Sequence, residues 1–483
     1  MKRIACGVLV AASLAAGSAH AEITQADATA LHDKLAAWFA TWSFGLLDAA
    51  TTRLTAVPEG DHLLLQFPFG GTPPGSKPSI TAGTAAVRLQ PLDGGRWNIQ
   101  SASLPPSVTV AWPGEGKAKG GSTTLTLGKL TMAGVFDPTL ATESKIDGGL
   151  DDYGIKIVQP QGTQTTHITK ITSHALWTPV SAGRVSMTSD TAMDGYSVTS
   201  TGEAAMRMNV RRIAGRALLD DVDFASLGDG LRILSIAKDN DRAQSGPAKP
   251  MTAEQRKTAH AAINALTGVL GGMDVQQTWE GIQFTVADQS GTVKKASSGF
   301  SASAPGGKLL LKLPMALEGF DSPAITDEAM RDLMPHAIAF TPRLSGLSRQ
   351  ALLDALHRAV DAQPEKPDFD TEMETVLAAG KAVVGIDNIA LDIGPMQLKG
   401  GGEIAIAGMA DFTGAAELRA TGLDALIRRV NATPSLKQAA PVLIFLKGIG
   451  EQEGADLVWK ITAQDGAIEV NGTSLSDLGF PGK

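Results

Sequence analysis

Cysteine is almost missing from this chain: of 483 residues, only Cys6 carries a thiol. It lies in an apolar stretch, residues 4–16, that follows Lys2 and Arg3 and precedes the small residues Ala19 and Ala21. A basic start, an apolar middle and an A-x-A end make a secretory signal peptide, with cleavage expected before Glu22. The stretch is shorter than the ~20 apolar residues that span a bilayer. The expectation is therefore a signal peptide at 1–21, no transmembrane anchor, and a periplasmic mature protein. A lipoprotein cysteine would follow the apolar region rather than open it. Without Cys6 no thiol remains, which excludes disulfides, cysteine nucleophiles and cysteine-ligated metals.

Aromatic residues are also scarce, at 5% with only 2 tyrosines, which argues against an outer-membrane barrel with its aromatic girdles. Basic residues are outnumbered, 42 against 50 acidic ones, for a formal net charge of −8. Loss of Lys2 and Arg3 makes the mature chain more acidic still. Such a chain is poorly suited to hold nucleic acid or anionic lipid by overall charge alone. Hydrophobic content of 43% with 19% charged residues is that of a folded globular protein.

Motifs that carry chemistry are missing as well. None of His32, His62, His167, His174, His260, His336 and His357 has a second ligand at helical spacing, and H-E-x-x-H does not occur. His167 and His174, seven positions apart, would face opposite sides of a strand. The acidic run Asp368, Asp370, Glu372 and Glu374 lacks the glycine of a calcium loop and suits a helix N-terminus better. Ser235 and Lys238 match S-x-x-K without the companion S-D-N and K-T-G elements. No G-x-S-x-G elbow or phosphate loop is present, and Gly400-Gly401-Gly402 precedes a strand instead of opening a helix. The expectation is no catalytic residue, no metal and no cofactor.

What is present is patterning. From Asp27, read as a cap, Leu31, Leu35, Trp38, Phe39 and Trp42 form one helical stripe. A β-rich region follows, alternating in Thr124-Leu125-Thr126-Leu127 and in Met206-Arg207-Met208-Asn209-Val210, with hairpin turns expected at Asp93-Gly94, Asp147-Gly148 and Asp194-Gly195. A polar run with Gly246, Pro247 and Pro250 separates an N-terminal helix plus β-rich domain, 22–240, from an α+β domain, 252–483, through a linker at 241–251. Thr252 and Gln255 form a capping box for the next helix, and Ser348 caps another. A helical pair over 422–447 precedes a closing hairpin with Leu457, Trp459 and Ile461 on one face and a turn at Asp465-Gly466. The fold class is α+β, with long antiparallel β-meander sheets curved into a groove or elongated body and amphipathic helices packed on them.

The segment Gly385-Ile386-Asp387-Asn388-Ile389-Ala390-Leu391-Asp392-Ile393-Gly394-Pro395, followed by Gly400-Gly401-Gly402-Glu403-Ile404, resembles an uncharacterised secreted alphaproteobacterial family known only as a domain of unknown function. With Gly422-Leu423-Asp424-Ala425-Leu426-Ile427 and Asp465-Gly466-Ala467-Ile468-Glu469-Val470-Asn471-Gly472, the last 100 or so residues also resemble the end modules of AsmA-like envelope proteins. That resemblance implies lipid movement or envelope assembly; its motifs carry no catalytic residues. A cleavable signal departs from the anchored members.

The functional expectation is a non-enzymatic periplasmic protein that binds an apolar, lipid-like ligand. The candidate groove residues are Leu309, Leu311, Leu313, Met315 and Leu317, whose alternate positions give one apolar strand face. A structural protein acting on an envelope protein partner and a carboxylate-dependent hydrolase are the alternatives.

Overall fold

The computed structural model describes residues 23–42, 54–68, 79–81, 83–112, 120–181, 183–202, 205–223, 252–287, 289–362, 372, 374–377, 380–406, 412–464 and 467–474. The expected signal segment, the expected linker, Ser235, Lys238, Asp368, Asp370, the expected turn at Asp465-Gly466 and the side chains of Trp38, Phe39 and Trp42 lie outside the described residues.

Among the described residues the chain is an α+β meander in which 24 strands form one antiparallel sheet. They begin with β1 (Thr55–Glu59), β2 (His62–Pro68), β3 (Ser79–Thr81), β4 (Thr84–Pro91), β5 (Trp97–Ser103), β6 (Ser107–Trp112), β7 (Gly121–Thr126) and β8 (Leu130–Phe136). Six long strands follow: β9 (Ser144–Gln159), β10 (Gly162–Ser181), β11 (Arg184–Ser200), β12 (Met206–Asp223), β13 (Gly272–Val286) and β14 (Gln289–Ser303). The rest are β15 (Lys308–Lys312), β16 (Met315–Asp321), β17 (Pro335–Ser348), β18 (Ala382–Ile393), β19 (Met396–Ile406), β20 (Phe412–Thr421), β21 (Glu451–Glu453), β22 (Asp456–Gln464), β23 (Ala467–Val470) and β24 (Thr473–Ser474).

The ladder starts β1–β2–β4–β5–β8–β9 and then follows chain order to β14. The second half of β9 instead carries a branch, β7–β6–β3. β15 and β16 share the far edge of β14, both pair with β17, and the order continues β18–β19–β20–β22–β23. The ladder is unbroken from β12 to β13, across the expected linker.

Helices close the exposed apolar ends. α1 (Gln25–Trp42) lays Leu31 and Leu35 on a core with Leu63, Leu65, Leu89 and Ile99. Its capping box is formed by Thr24, whose Oγ1 accepts from Asp27 N while Asp27 Oδ2 accepts from Thr24 N. Asp27 is thus the third helical residue rather than the cap. The Thr24 hydroxyl holds the Asp27 carboxyl below the usual carboxylate range. α2 (Ala253–Val269) has the Thr252–Gln255 capping box, and α4 (Arg349–Asp361) is capped by Ser348 Oγ; the single turn α3 (Glu328–Arg331) stands before β17. α5 (Leu423–Ala432) and α6 (Ala440–Ile449) cover β19, β20 and β22 through Leu423, Leu426, Val430, Leu457 and Trp459.

Strands of 15 to 20 residues are far beyond the usual length and must bend. The bend is one crease across the sheet. Asp152 of β9, Gly195 of β11, Gly281 of β13 and Gly319 of β16 all have left-handed backbone, φ between 53° and 68°. The residues opposite, Thr169, Arg211 and Lys294, are skipped by the ladder although the register is the same on both sides. Glycine is required at Gly281 and Gly319, where a Cβ would meet Arg211 Cβ at 3.0 Å and Lys294 Cβ at 2.7 Å.

Three paired rows flank the crease. On one side run Tyr153, Ile168, Tyr196, Val210, Ile282, Val293 and Phe320. On the other, Asp151, Lys170, Asp194, Arg212, Glu280, Lys295 and Glu318 alternate in sign, and beyond them stand Leu150, Ile171, Met193, Ile213, Trp279, Ala296 and Leu317. Val210 and Ile213, three residues apart, are both buried. In a straight strand they would face opposite sides, so the crease re-aims the side chains beyond it, as a bulge does. Asp194-Gly195 is therefore the middle of β11 and not a hairpin turn. Asp147-Gly148 lies inside β9 for a different reason: a Cβ at Gly148 would meet Ser173 Oγ at 2.7 Å. Asp93-Gly94 does turn, linking β4 to β5.

Candidate apolar ligand cavity

Among the described residues, the N-terminal end of the sheet leaves a space beneath α1. Alternation brings Leu65 and Phe67 of β2 and Val87 and Leu89 of β4 to the face under α1, paired Leu65 with Val87 and Leu89 with Ile99 of β5. Met132 and Phe136 of β8 flank Gly134, which adds no side chain to the row of Leu89, Ile99 and Ile146. Leu35 of α1, Ile146 of β9 and Trp177 of β10 complete the wall around a cavity of about 110 Å³.

A loop lines the Trp177 side. Asp137 Oδ1 accepts from Thr139 N (2.8 Å) and Thr139 Oγ1 (2.6 Å), and Oδ2 from Thr142 N (2.8 Å) and Thr142 Oγ1 (2.9 Å). Asp137 N in turn donates to Ser144 Oγ at 2.8 Å. Burial pushes the Asp137 carboxyl up, but these hydrogen bonds outweigh it and hold the group below the usual carboxylate range. Asp137 and Ser144, the polar residues of the lining, are thus spent on the loop, and Leu140 packs toward Trp177. Among the described residues the lining is apolar and offers no free nucleophile or base. An apolar cavity near 150 Å³ accepts benzene, so 110 Å³ fits a small ring or a few methylene groups, not a whole phospholipid.

The groove residues read from sequence stand elsewhere and are not brought together. Leu309 is buried in a core with Leu347, Ala355 and Val376. Leu311 and Leu317 are half-buried, while Leu313 (46%) and Met315 (39%) are exposed. Their continuous strand is broken at Leu313 and Pro314 into β15 and β16. Pro314 O accepts from Gly299 N across the break.

Two polar clusters also form. In an open depression on β17, β18 and β19, Arg343 bridges Asp387 (3.3 Å) and Glu403 (2.7 Å). The Glu403 hydrogen bond raises the Arg343 guanidinium further above its ordinary value. Gly400-Gly401-Gly402 lies here, inside β19. Between α2 and α4, His260 Nδ1 and His357 Nδ1 are 2.6 Å apart, with Asp361 Oδ1 on His260 Nε2 and Asn264 Oδ1 on His357 Nε2. Sequence spacing missed this pair because its members are 97 residues apart. His174 and His167 each face an aspartate instead, Asp147 and Asp152, and among the described residues no three His, Cys, Asp or Glu cluster as metal ligands. Glu372 of the acidic run pairs with Arg358.

Comparison with protein-family models, curated proteins and solved structures gives no match to this chain.

Proposed function

We propose that the protein is a non-enzymatic binding protein of the periplasm that holds a small apolar ligand, or the end of an acyl chain, in the cavity beneath α1. The observation that carries this reading is the cavity itself: about 110 Å³ walled by aliphatic and aromatic side chains, with the polar groups at its margin already satisfied. Filling such a space is favourable by about 25 cal/mol per Å² of apolar surface removed from water. The resemblance of the C-terminal segment to AsmA-like end modules supports a place in envelope maintenance. The hydrolase alternative draws no support from the Arg343 depression, because one guanidinium ties both carboxylates.

Toluene tests the reading. At saturating concentration it should raise the thermal midpoint of the wild type by mass action. It should leave Val87→Phe, whose ring occupies the space, unmoved. A wild type indifferent to toluene and to short alkanes, and purified without any extractable apolar molecule, overturns the proposal.

A further inference from the structure

Helices α2 and α4 pack side by side in opposite directions. Arg349 Nη1 at the start of α4 donates to Thr267 O (3.3 Å), His357 bonds Asn264 and Asp361 bonds His260, so the partners retreat along α2 as α4 advances. Inside this contact His260 Nδ1 and His357 Nδ1 stand 2.6 Å apart, with the ring planes 25° from parallel. Two nitrogens that close need a proton on the line between them, one ring donating and the other accepting.

The far nitrogen of each ring fixes how many protons the pair holds. A carboxylate only accepts, so His260 Nε2 carries a proton toward Asp361 Oδ1 at 2.9 Å. His357 Nε2 faces Asn264 Oδ1 at 3.2 Å, also an acceptor, and carries one too. Two neutral rings have two ring protons, and both are spent on these Nε2 atoms. Without more, the Nδ1 lone pairs would collide, so the proton between them is a third. The pair is one imidazole and one imidazolium sharing that proton, a single positive charge beside Asp361. The Nδ1–Nδ1 distance lies at the short end, where charge-assisted hydrogen bonds fall.

We infer that this shared proton locks α2 to α4 and that the helix contact opens both in acid and in base. One more proton sets two N–H groups and two like charges head to head. Loss of the shared proton sets the lone pairs against each other. Opening wets Ile263 and Leu353, which are buried and stand one turn from the two histidines on the same helix faces. The surrounding charges are balanced. From α2, Arg256 and Lys257 stand one turn before His260; from α4, Asp354 and Asp361 stand one turn to either side of His357, and the adjacent Arg358 is taken by Glu372. Asp221 of β12 approaches α2 at Gly268, two turns beyond His260, and β17 joins α4 through Ser348. The bridge does not depend on the cavity reading.

In acid the two histidines of the open form bind two added protons against one in the closed form, and in base none against one. Closing is therefore favoured most within the range where histidine titrates, about pH 5 to 8. Amide hydrogen exchange along α2 and α4 in the whole protein reads the opening. The ratio of wild-type protection to that of His260→Phe with His357→Phe should pass through a maximum in this range and fall by up to about tenfold per pH unit toward acid, the slope for one proton. Asn264→Asp, which only accepts when ionised, should keep the maximum. A neutral pair, with the Asn264 amide turned to donate to a bare His357 Nε2, would lose it in that variant. Nitrogen NMR of histidine-labelled wild type needs no variant: both Nε2 atoms should be protonated, and both Nδ1 atoms should couple to one strongly deshielded proton. A protection ratio without a maximum overturns the proposal, as does a maximum abolished by Asn264→Asp or a spectrum in which one Nε2 is bare.

Discussion

Asp137 shows what one buried carboxylate does for a loop. Its folded-state pKa is depressed, so its stabilising contribution is present above the ordinary carboxylate range and is lost as pH falls through the depressed value. Asp137→Asn replaces one acceptor oxygen by a donor facing Thr142. It should cost about 2–3 kcal/mol at neutral pH, the scale of charge-assisted hydrogen bonds, and urea titrations at neutral and acid pH should show a flatter pH dependence than in the wild type. The Thr252–Gln255 box and the Ser348 cap were legible in the sequence because capping is settled within four residues. The Thr24 cap was displaced onto Asp27 because both residue types cap helices and only the geometry separates cap from partner. The cavity-lining side chains were not legible, since they come from separate elements and share only an apolar character common to every core.

At the scale of the element, the crease decides how the long strands pack. Gly281→Ala should cost about 1–2 kcal/mol for the left-handed backbone alone. Gly319→Val should cost more, because its Cβ would press on Lys294 Cβ. Asp152→Gly should be neutral or stabilising in the same denaturant titration, since Asp152 already tolerates positive φ. The alternating charges from Asp151 to Glu318 act on register more than on stability, because a slip by one residue toward the neighbouring apolar row would set each charge opposite a residue such as Leu150, Ile171 or Met193. Strand periodicity was plain in the sequence, and so were α2, α4 and α5. Asp194-Gly195 misled because the left-handed glycine of a hairpin turn and that of a mid-strand crease look the same at the residue, and only the ladder on both sides tells them apart. The run from Leu309 to Leu317 misled because Pro314 breaks it.

For the whole molecule, the α+β class and the meander were legible, since alternation and turns are local signals. The closure of the ladder into one sheet was not, because pairing between β12 and β13 bridges a long intervening segment. The C-terminal helices and hairpin cover the edge that β19 and β20 would otherwise present. A chain ending at Ile406 should expose β19 along Met396–Ile406 and associate, with sedimentation showing larger species at micromolar concentration. From β10 to β13 each long strand bonds only to the strands before and after it in the chain. Such a structure behaves as a row of coupled hairpins whose stability is close to a sum over adjacent interfaces, as in a solenoid. Opening then spreads inward from the two ends like a zipper, and the α1 core and the α5–α6 core are the clasps that set how soon it starts.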